Sequence, residues 1–279
     1  MELGLPGSRI HAYTGGKPFD PALPCVVFIH GAQNDHSVWI LQSRYLAHHG
    51  CAVLALDLPG HGRSDGPAAR SVEEAAERIA AALAPLASPR LLLAGHSMGS
   101  LIALEVARRL PARVAGVALV GTAAPMRVAD ALLAATRDDP AAAMDMINVW
   151  THSPAMAPFA ARPGSPAPGF NVVWQNLRLM QHIAAVNGPD VLPTDFAACN
   201  AYSGAVEAAR ALQCPALFVL GDRDQMTPPK AARSLVDACA RPQVVTLAQT
   251  SHALMSENPD GVRAALANFA RQVFAGVVS

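Results

Sequence analysis

Residues 91–107 read LLLAGHSMGSLIALEVA, and this stretch decides the fold. Leu91-Leu92-Leu93 is apolar without alternation, as in a strand covered on both faces. After Met98 the apolar residues recur at helical spacing. The turn between is Gly95-His96-Ser97-Met98-Gly99. A serine at such a strand-to-helix turn takes a strained backbone conformation that exposes its hydroxyl at the carboxyl end of the sheet. The glycines two before and two after it let strand and helix approach closely. A G-x-S-x-G string arises by chance in many chains of this length, since Gly and Ser are both common residues. Its place between strand and helix gives it meaning and makes Ser97 a candidate nucleophile.

Outward from this stretch, short apolar runs alternate with longer amphipathic ones. Strands are expected at Pro24 to His30, Ala52 to Asp57, Arg90 to Ala94, Val114 to Val120, Ala216 to Gly221 and Gln243 to Leu247. Cys25-Val26-Val27-Phe28-Ile29 is apolar on both faces, which fits a parallel sheet with helical crossovers. The class is therefore α/β. Helix starts are signalled by Ser37 before Trp39 to His49, and by Ser71 with Glu74 as a capping box before Ala75 to Leu86. Pro228-Pro229 opens a helix through Ala238, and Pro259 opens one to about Phe274. The alternation stops between Pro125 and Arg210, where Pro- and Gly-rich pieces separate helical segments at Ala141 to Trp150 and Asn171 to Val186. The expected organisation is a core of residues 1–124 and 211–279 carrying a helical cap of residues 125–210.

The 279 residues include 21 Lys+Arg and 21 Asp+Glu, so no net field draws the chain toward nucleic acid or an anionic membrane. No run reaches the ~18 apolar residues of a membrane span, and MELGLPGSRIHAYTGG lacks the charged-then-apolar pattern of a leader. A soluble, cytoplasmic protein acting on a small molecule is expected, with oligomeric state unassigned. Cys25, Cys51, Cys199, Cys214 and Cys239 are odd in number and form no C-x-x-C pair, so all five read as small hydrophobes. No metal-ligand spacing and no G-x-G-x-x-G after a strand is present, so neither a metal nor a dinucleotide cofactor is expected.

A serine hydroxyl needs a base within hydrogen-bond reach and a third group to orient that base. Past the strand ending at Gly221 come Asp222-Arg223-Asp224-Gln225-Met226-Thr227-Pro228, and past the strand ending at Leu247 come Thr250-Ser251-His252. Both lie at carboxyl ends of strands, where sites form in open α/β sheets. Together with His30-Gly31, DLPGHGRS at 57–64, GHSMG at 95–99, GDRDQMTPP at 221–229 and SHALMSENP at 251–259, the chain resembles the α/β-hydrolase superfamily over nearly its whole length. The resemblance implies a mostly parallel sheet flanked by helices, with Ser97, Asp224 and His252 as a catalytic triad in the chain order of that fold. Asp222 is the alternative acid. The residues after Val120, Gly121-Thr122, offer no carboxylate. It also implies the backbone N–H groups of Ala32 and Met98 as oxyanion donors. His30, His96 and His61 read as structural, the last with Arg63 and Asp65 in fixing a loop.

In the cap, Met126, Met144, Met146, Met156 and Met180 accompany Trp150, Phe159, Phe170 and Trp174. Individually these suit a core; collectively they suggest an apolar underside over Ser97. Trp150, Trp174, Met180 and Met255 are the candidate substrate contacts. The expected activity is hydrolysis of a carboxylic ester of a small, partly apolar substrate through an acyl-enzyme. The same triad serves carbon-carbon hydrolases, lactonases, amidases, thioesterases, acyl transferases and cofactor-free haloperoxidases. Ala32-Gln33-Asn34-Asp35 is poorer in glycine than the segment usual in carbon-carbon hydrolases, and a serine nucleophile disfavours dehalogenases and epoxide hydrolases, which carry Asp there. A ligand-binding pseudoenzyme is the non-catalytic alternative.

Overall fold

A computed structural model describes residues 1–152 and 168–275, with the side chains of residues 168–171 left aside. Met156 and Phe159 lie outside the described residues, as does the side chain of Phe170. The strands are β1 (Glu2–Leu5), β2 (Ser8–Tyr13), β3 (Cys25–Ile29), β4 (Ala52–Leu56), β5 (Leu91–His96), β6 (Val114–Val120), β7 (Ala216–Gly221) and β8 (Pro242–Leu247). They form one sheet in the order β1-β2-β4-β3-β5-β6-β7-β8, parallel from β4 to β8, with β1 and β2 antiparallel at one edge. The described helices are α1 (Ile40–Ala47), α2 (Val72–Leu83), α3 (Met98–Arg109), α4 (Asp130–Asp138), α5 (Pro140–Thr151), α6 (Pro168–Asn187), α7 (Val191–Ala201), α8 (Ala205–Arg210), α9 (Arg233–Ala238), α10 (Leu254–Glu257) and α11 (Pro259–Phe274).

The apolar strands are double-sided because both faces are covered. Val27, Ile29, Leu91 and Leu93 join Val72, Ile79, Leu101 and Ile102 of α2 and α3 in one core. Their neighbours Val26, Phe28, Leu92 and Ala94 turn the other way and pack with Leu46 of α1 and Val262, Leu266 and Phe269 of α11. Period-two alternation thus feeds two cores from one strand. The chain runs from β3 to β4 on one side and then crosses to β5 on the other, so β3 and β5 flank the point where strand order reverses. A crevice opens there at the strands' carboxyl ends.

Several local expectations are refined. The first helix is capped by Asp35, whose side chain accepts from the Ser37 amide, and begins with a 3-10 turn at His36–Trp39; Ser37 is not the cap. Ser71 caps α2 by accepting from Glu74 N–H, but the Glu74 carboxylate turns to the Arg70 amide instead of completing the box. The stretch after Pro228 is a 3-10 turn, Pro229–Ala232, before α9. The hairpin β1–β2, turning at Pro6-Gly7, was not foreseen, nor were α4, α7 and α8. Among the described residues, positions 125–210 contribute helices only and no strand to the sheet. No described helix is long and apolar enough to cross a membrane, and all five cysteines are unpaired.

Candidate active site

Ser97 links β5 to α3 with φ 52° and ψ −120°, a left-handed backbone that few non-glycine residues adopt. Its neighbours leave no alternative. A Cβ on Gly95 would lie 2.1 Å from the Gly99 carbonyl oxygen, and one on Gly99 would lie 2.4 Å from the carbonyl oxygens of Ile29 and His30. Met98 is the first residue of α3, so its N–H has no partner within the helix and sits at the positive end of the helix dipole.

His252 Nδ1 lies 2.8 Å from Asp224 Oδ2, with both side chains buried. Asp224 is saturated by design of its turn: Oδ1 accepts from the amides of Met226 at 2.9 Å and Thr227 at 2.8 Å, and Oδ2 accepts from Thr227 Oγ1 at 2.7 Å. Burial alone would raise the Asp224 carboxyl, but His252 and the Thr227 donors outweigh it and hold it down at about 2. The carboxylate is therefore ionised and can accept only, which assigns the His252 proton to Nδ1 and leaves Nε2 basic. Thr227 is a site residue that sequence reasoning misses; its one signal is a hydroxyl three residues after the acid. Asp222 sits elsewhere, accepting from Thr250 N–H.

His96 donates through Nε2 to the His252 carbonyl at 2.9 Å, and its ring lies 4.8 Å from that of His252. Because a carbonyl only accepts, Nε2 carries the proton. Burial, helped by His252, pushes His96 down to about 3, so it stays neutral. His30 is wholly buried: its Nε2 accepts from Leu58 N–H at 2.9 Å, so Nδ1 is the donor to the Gly31 carbonyl at 2.8 Å. Burial, with His61 adding, lowers His30 to about 4. In a trans peptide the N–H opposes the C=O, so this bond fixes the direction of Ala32 N–H.

Ser97 and Ala32 border two cavities, of about 480 Å³ and about 170 Å³. The larger is also lined by His252, Met180 and Met255, the smaller by Trp150, and Phe196 and Met226 line both. Trp174 is 43% exposed and lines neither. On α6 the cavity face runs through Val172, Gln175, Asn176 and Leu179, and Trp174 stands about 200° around the helix from Val172. Trp174, expected as a substrate contact, lies off the described lining of both cavities.

Among the described residues, His11, His36 and Asp57 bring potential metal-donor atoms within 4.8 Å of one another. Asp57 is already committed: Oδ1 accepts from His36 N and Nδ1 at 2.8 and 2.7 Å, and Oδ2 from Arg63 N at 3.0 Å. These residues serve the loop after β4. A buried ion pair missed in the sequence joins His61 Nε2 to Asp195 Oδ2 at 2.9 Å. Its one sequence signal was a lone carboxylate in VLPTDFAAC at 191–199.

Residues 24–259 match the family model for the alpha/beta hydrolase fold. A pimeloyl-[acyl-carrier protein] methyl ester esterase of Chromobacterium violaceum is 30% identical over 257 residues, 86% of this chain and 92% of that one. A dihydrolipoyllysine-residue acetyltransferase component of the acetoin cleaving system from Pseudomonas putida is 38% identical over 110 residues, 39% of this chain; the match spans only 28% of that longer protein. Among solved structures, an enol-lactonase from Burkholderia xenovorans LB400 superposes with a TM-score of 0.78 at 22% identity, over 96% of this chain and 99% of that one, a likeness of fold. With that sheet order, the serine at the strand-to-helix turn and the family match over most of its length, the chain belongs to the α/β-hydrolase fold family.

Proposed function

We propose that this chain is a serine hydrolase that cleaves a carboxylic ester through an acyl-enzyme, with Ser97 as nucleophile, His252 as general base and Asp224 as the group that orients the base. One observation carries the reading: a buried Asp224–His252 hydrogen bond beside a strained Ser97, with Ser97 and His252 on the wall of one cavity. Asp224 keeps the Nδ1 proton in place, so Nε2 takes the Ser97 proton as Oγ attacks the ester carbonyl. The tetrahedral oxyanion is received by the N–H groups of Met98 and Ala32. As the intermediate collapses, Nε2 returns the proton to the leaving alcohol. A water then repeats the sequence and releases the acid.

Residues 125–210 act as a cap over this site, and Trp150, Met180 and Met255 contact the substrate. Apolar side chains interspersed with Asn34, Gln175 and Ser256 suit a partly apolar substrate with polar groups. The name of the Chromobacterium relative, a methyl ester esterase, supports an ester as the bond cleaved. The test is turnover of p-nitrophenyl esters of increasing acyl length, with Ser97→Ala alongside. Turnover lost in the variant is expected. Turnover retained there would overturn the serine reading; no turnover, but fluorophosphonate labelling of Ser97, would replace the ester by a lactone, amide or ring-fission diketone.

A further inference from the structure

Gln33 follows Ala32 and is wholly buried with φ 54°, a conformation a non-glycine residue holds only when its surroundings impose it. Two helices of the 125–210 segment impose it. Asp195 Oδ2 on α7 accepts from Gln33 N–H at 2.8 Å, and the Met180 carbonyl on α6 accepts from Gln33 Nε2 at 3.0 Å. The same Asp195 oxygen meets His61 Nε2 from the loop after β4, and His61 Nδ1 lies 3.1 Å from the Pro59 carbonyl. Asp195 and His61 are only 2% and 1% exposed. A buried pair of this kind contributes little net stability against its desolvation, so a role in holding geometry explains it better.

Ala32 therefore lies between two anchored peptide planes. His30 holds the Gly31–Ala32 peptide from the sheet side, and Asp195 holds the Ala32–Gln33 peptide from the helical segment. The residue after Asp195 is Phe196, which lines both cavities beside Ser97. A substrate that contacts Phe196 in either cavity contacts the helix that holds Gln33.

We propose that Asp195 is a positioning residue that sets the Ala32 oxyanion donor from the cap, so that a substrate seating α7 completes the oxyanion hole. The inference rests on the serine-hydrolase reading. Binding contacts remote from the reacting carbonyl are then expressed in kcat, not only in KM.

The test measures kcat and KM for p-nitrophenyl acetate through octanoate in the parent, Asp195→Ala and Asp195→Asn, per active site titrated with a fluorophosphonate. Asp195→Ala is expected to lose at least tenfold in kcat with KM within threefold, short of the ~10²- to 10³-fold for losing a donor outright. Asp195→Asn, whose amide oxygen still accepts from Gln33 N–H, recovers most of that loss. In the parent, kcat rises with chain length, an outcome that needs no variant to fold. Parental kcat in Asp195→Ala, a loss confined to KM, or a parental series in which KM alone changes would overturn the coupling. Ser97→Ala separates the two claims: turnover surviving there sinks the serine reading, whereas turnover lost there but unchanged in Asp195→Ala sinks the coupling alone.

Discussion

Replacing Asp224 by Asn changes one atom and reverses two hydrogen bonds. The Oδ1 position still accepts from Met226 N–H and Thr227 N–H, which fixes the amide nitrogen at the former Oδ2 position; the flipped amide would set a donor against two donors. There the new NH₂ faces Thr227 Oγ1 at 2.7 Å and His252 Nδ1 at 2.8 Å and must donate to both. The threonine hydroxyl can rotate to accept. His252 can accept only by giving up its Nδ1 proton and carrying it on Nε2, the atom that receives the Ser97 proton in the proposed mechanism. The side chain packs as before with the wrong tautomer. In the analogous serine-protease case this costs ~10⁴ in kcat, about 5 kcal/mol of transition-state stabilisation. The assay is kcat for p-nitrophenyl butyrate per titrated site, with urea midpoints to verify folding. A variant within tenfold of the parent would refute the reasoning that Asp224 sets the tautomer of the base.

Two further predictions concern stability. Gly99→Ala drives a Cβ to 2.4 Å from the backbone oxygens of Ile29 and His30, so about 3 kcal/mol or more of destabilisation is expected, whereas Gly4→Ala, with nothing within 4 Å, leaves the urea midpoint unchanged. Equal midpoints for the two would contradict the close approach of β3 and α3 at the Ser97 turn. Asp57 and Asp224 are both held near 2 against an ordinary 3.8, despite burial that pushes the other way. His36 with backbone donors does this at Asp57, and His252 with Thr227 does it at Asp224. Their folded-state values are depressed, so the unfolded chain binds more protons in acid. Each contributes on the order of 2 kcal/mol above about pH 4, lost as pH falls toward 2. Urea midpoints should fall between pH 5 and pH 2.5, and Asp57→Asn should flatten that slope.

The sheet was legible because a strand covered on both faces must be apolar at every position, and Val26 through Ile29 and Leu91 through Ala94 are. The placing of Ser97, Asp224 and His252 at the carboxyl end of the sheet was legible because each follows a strand within a few residues, the last after the exposed edge strand β8. What escaped depends on contacts across the fold. Asp195 and Gln33 are 162 residues apart, and nothing local in VLPTDFAAC marks its partner. The α7 helix buries one face, but that face includes Asp195 and the exposed face carries Ala197 and Ala201, so sequence shows little contrast between them. The hairpin β1–β2 is an edge with polar side chains in alternation, easily taken for a tail. At Trp174 composition says that the residue is apolar but not which face of α6 turns inward.

The proposed mechanism stands on Ser97 as the nucleophile. The most direct measurement is intact and peptide mass spectrometry after treatment with a fluorophosphonate, followed by residual esterase activity. One adduct per chain is expected, on the peptide containing Ser97, with activity lost in proportion and no adduct on Ser97→Ala. An adduct on another residue, or full ester turnover after complete labelling of Ser97, would contradict it.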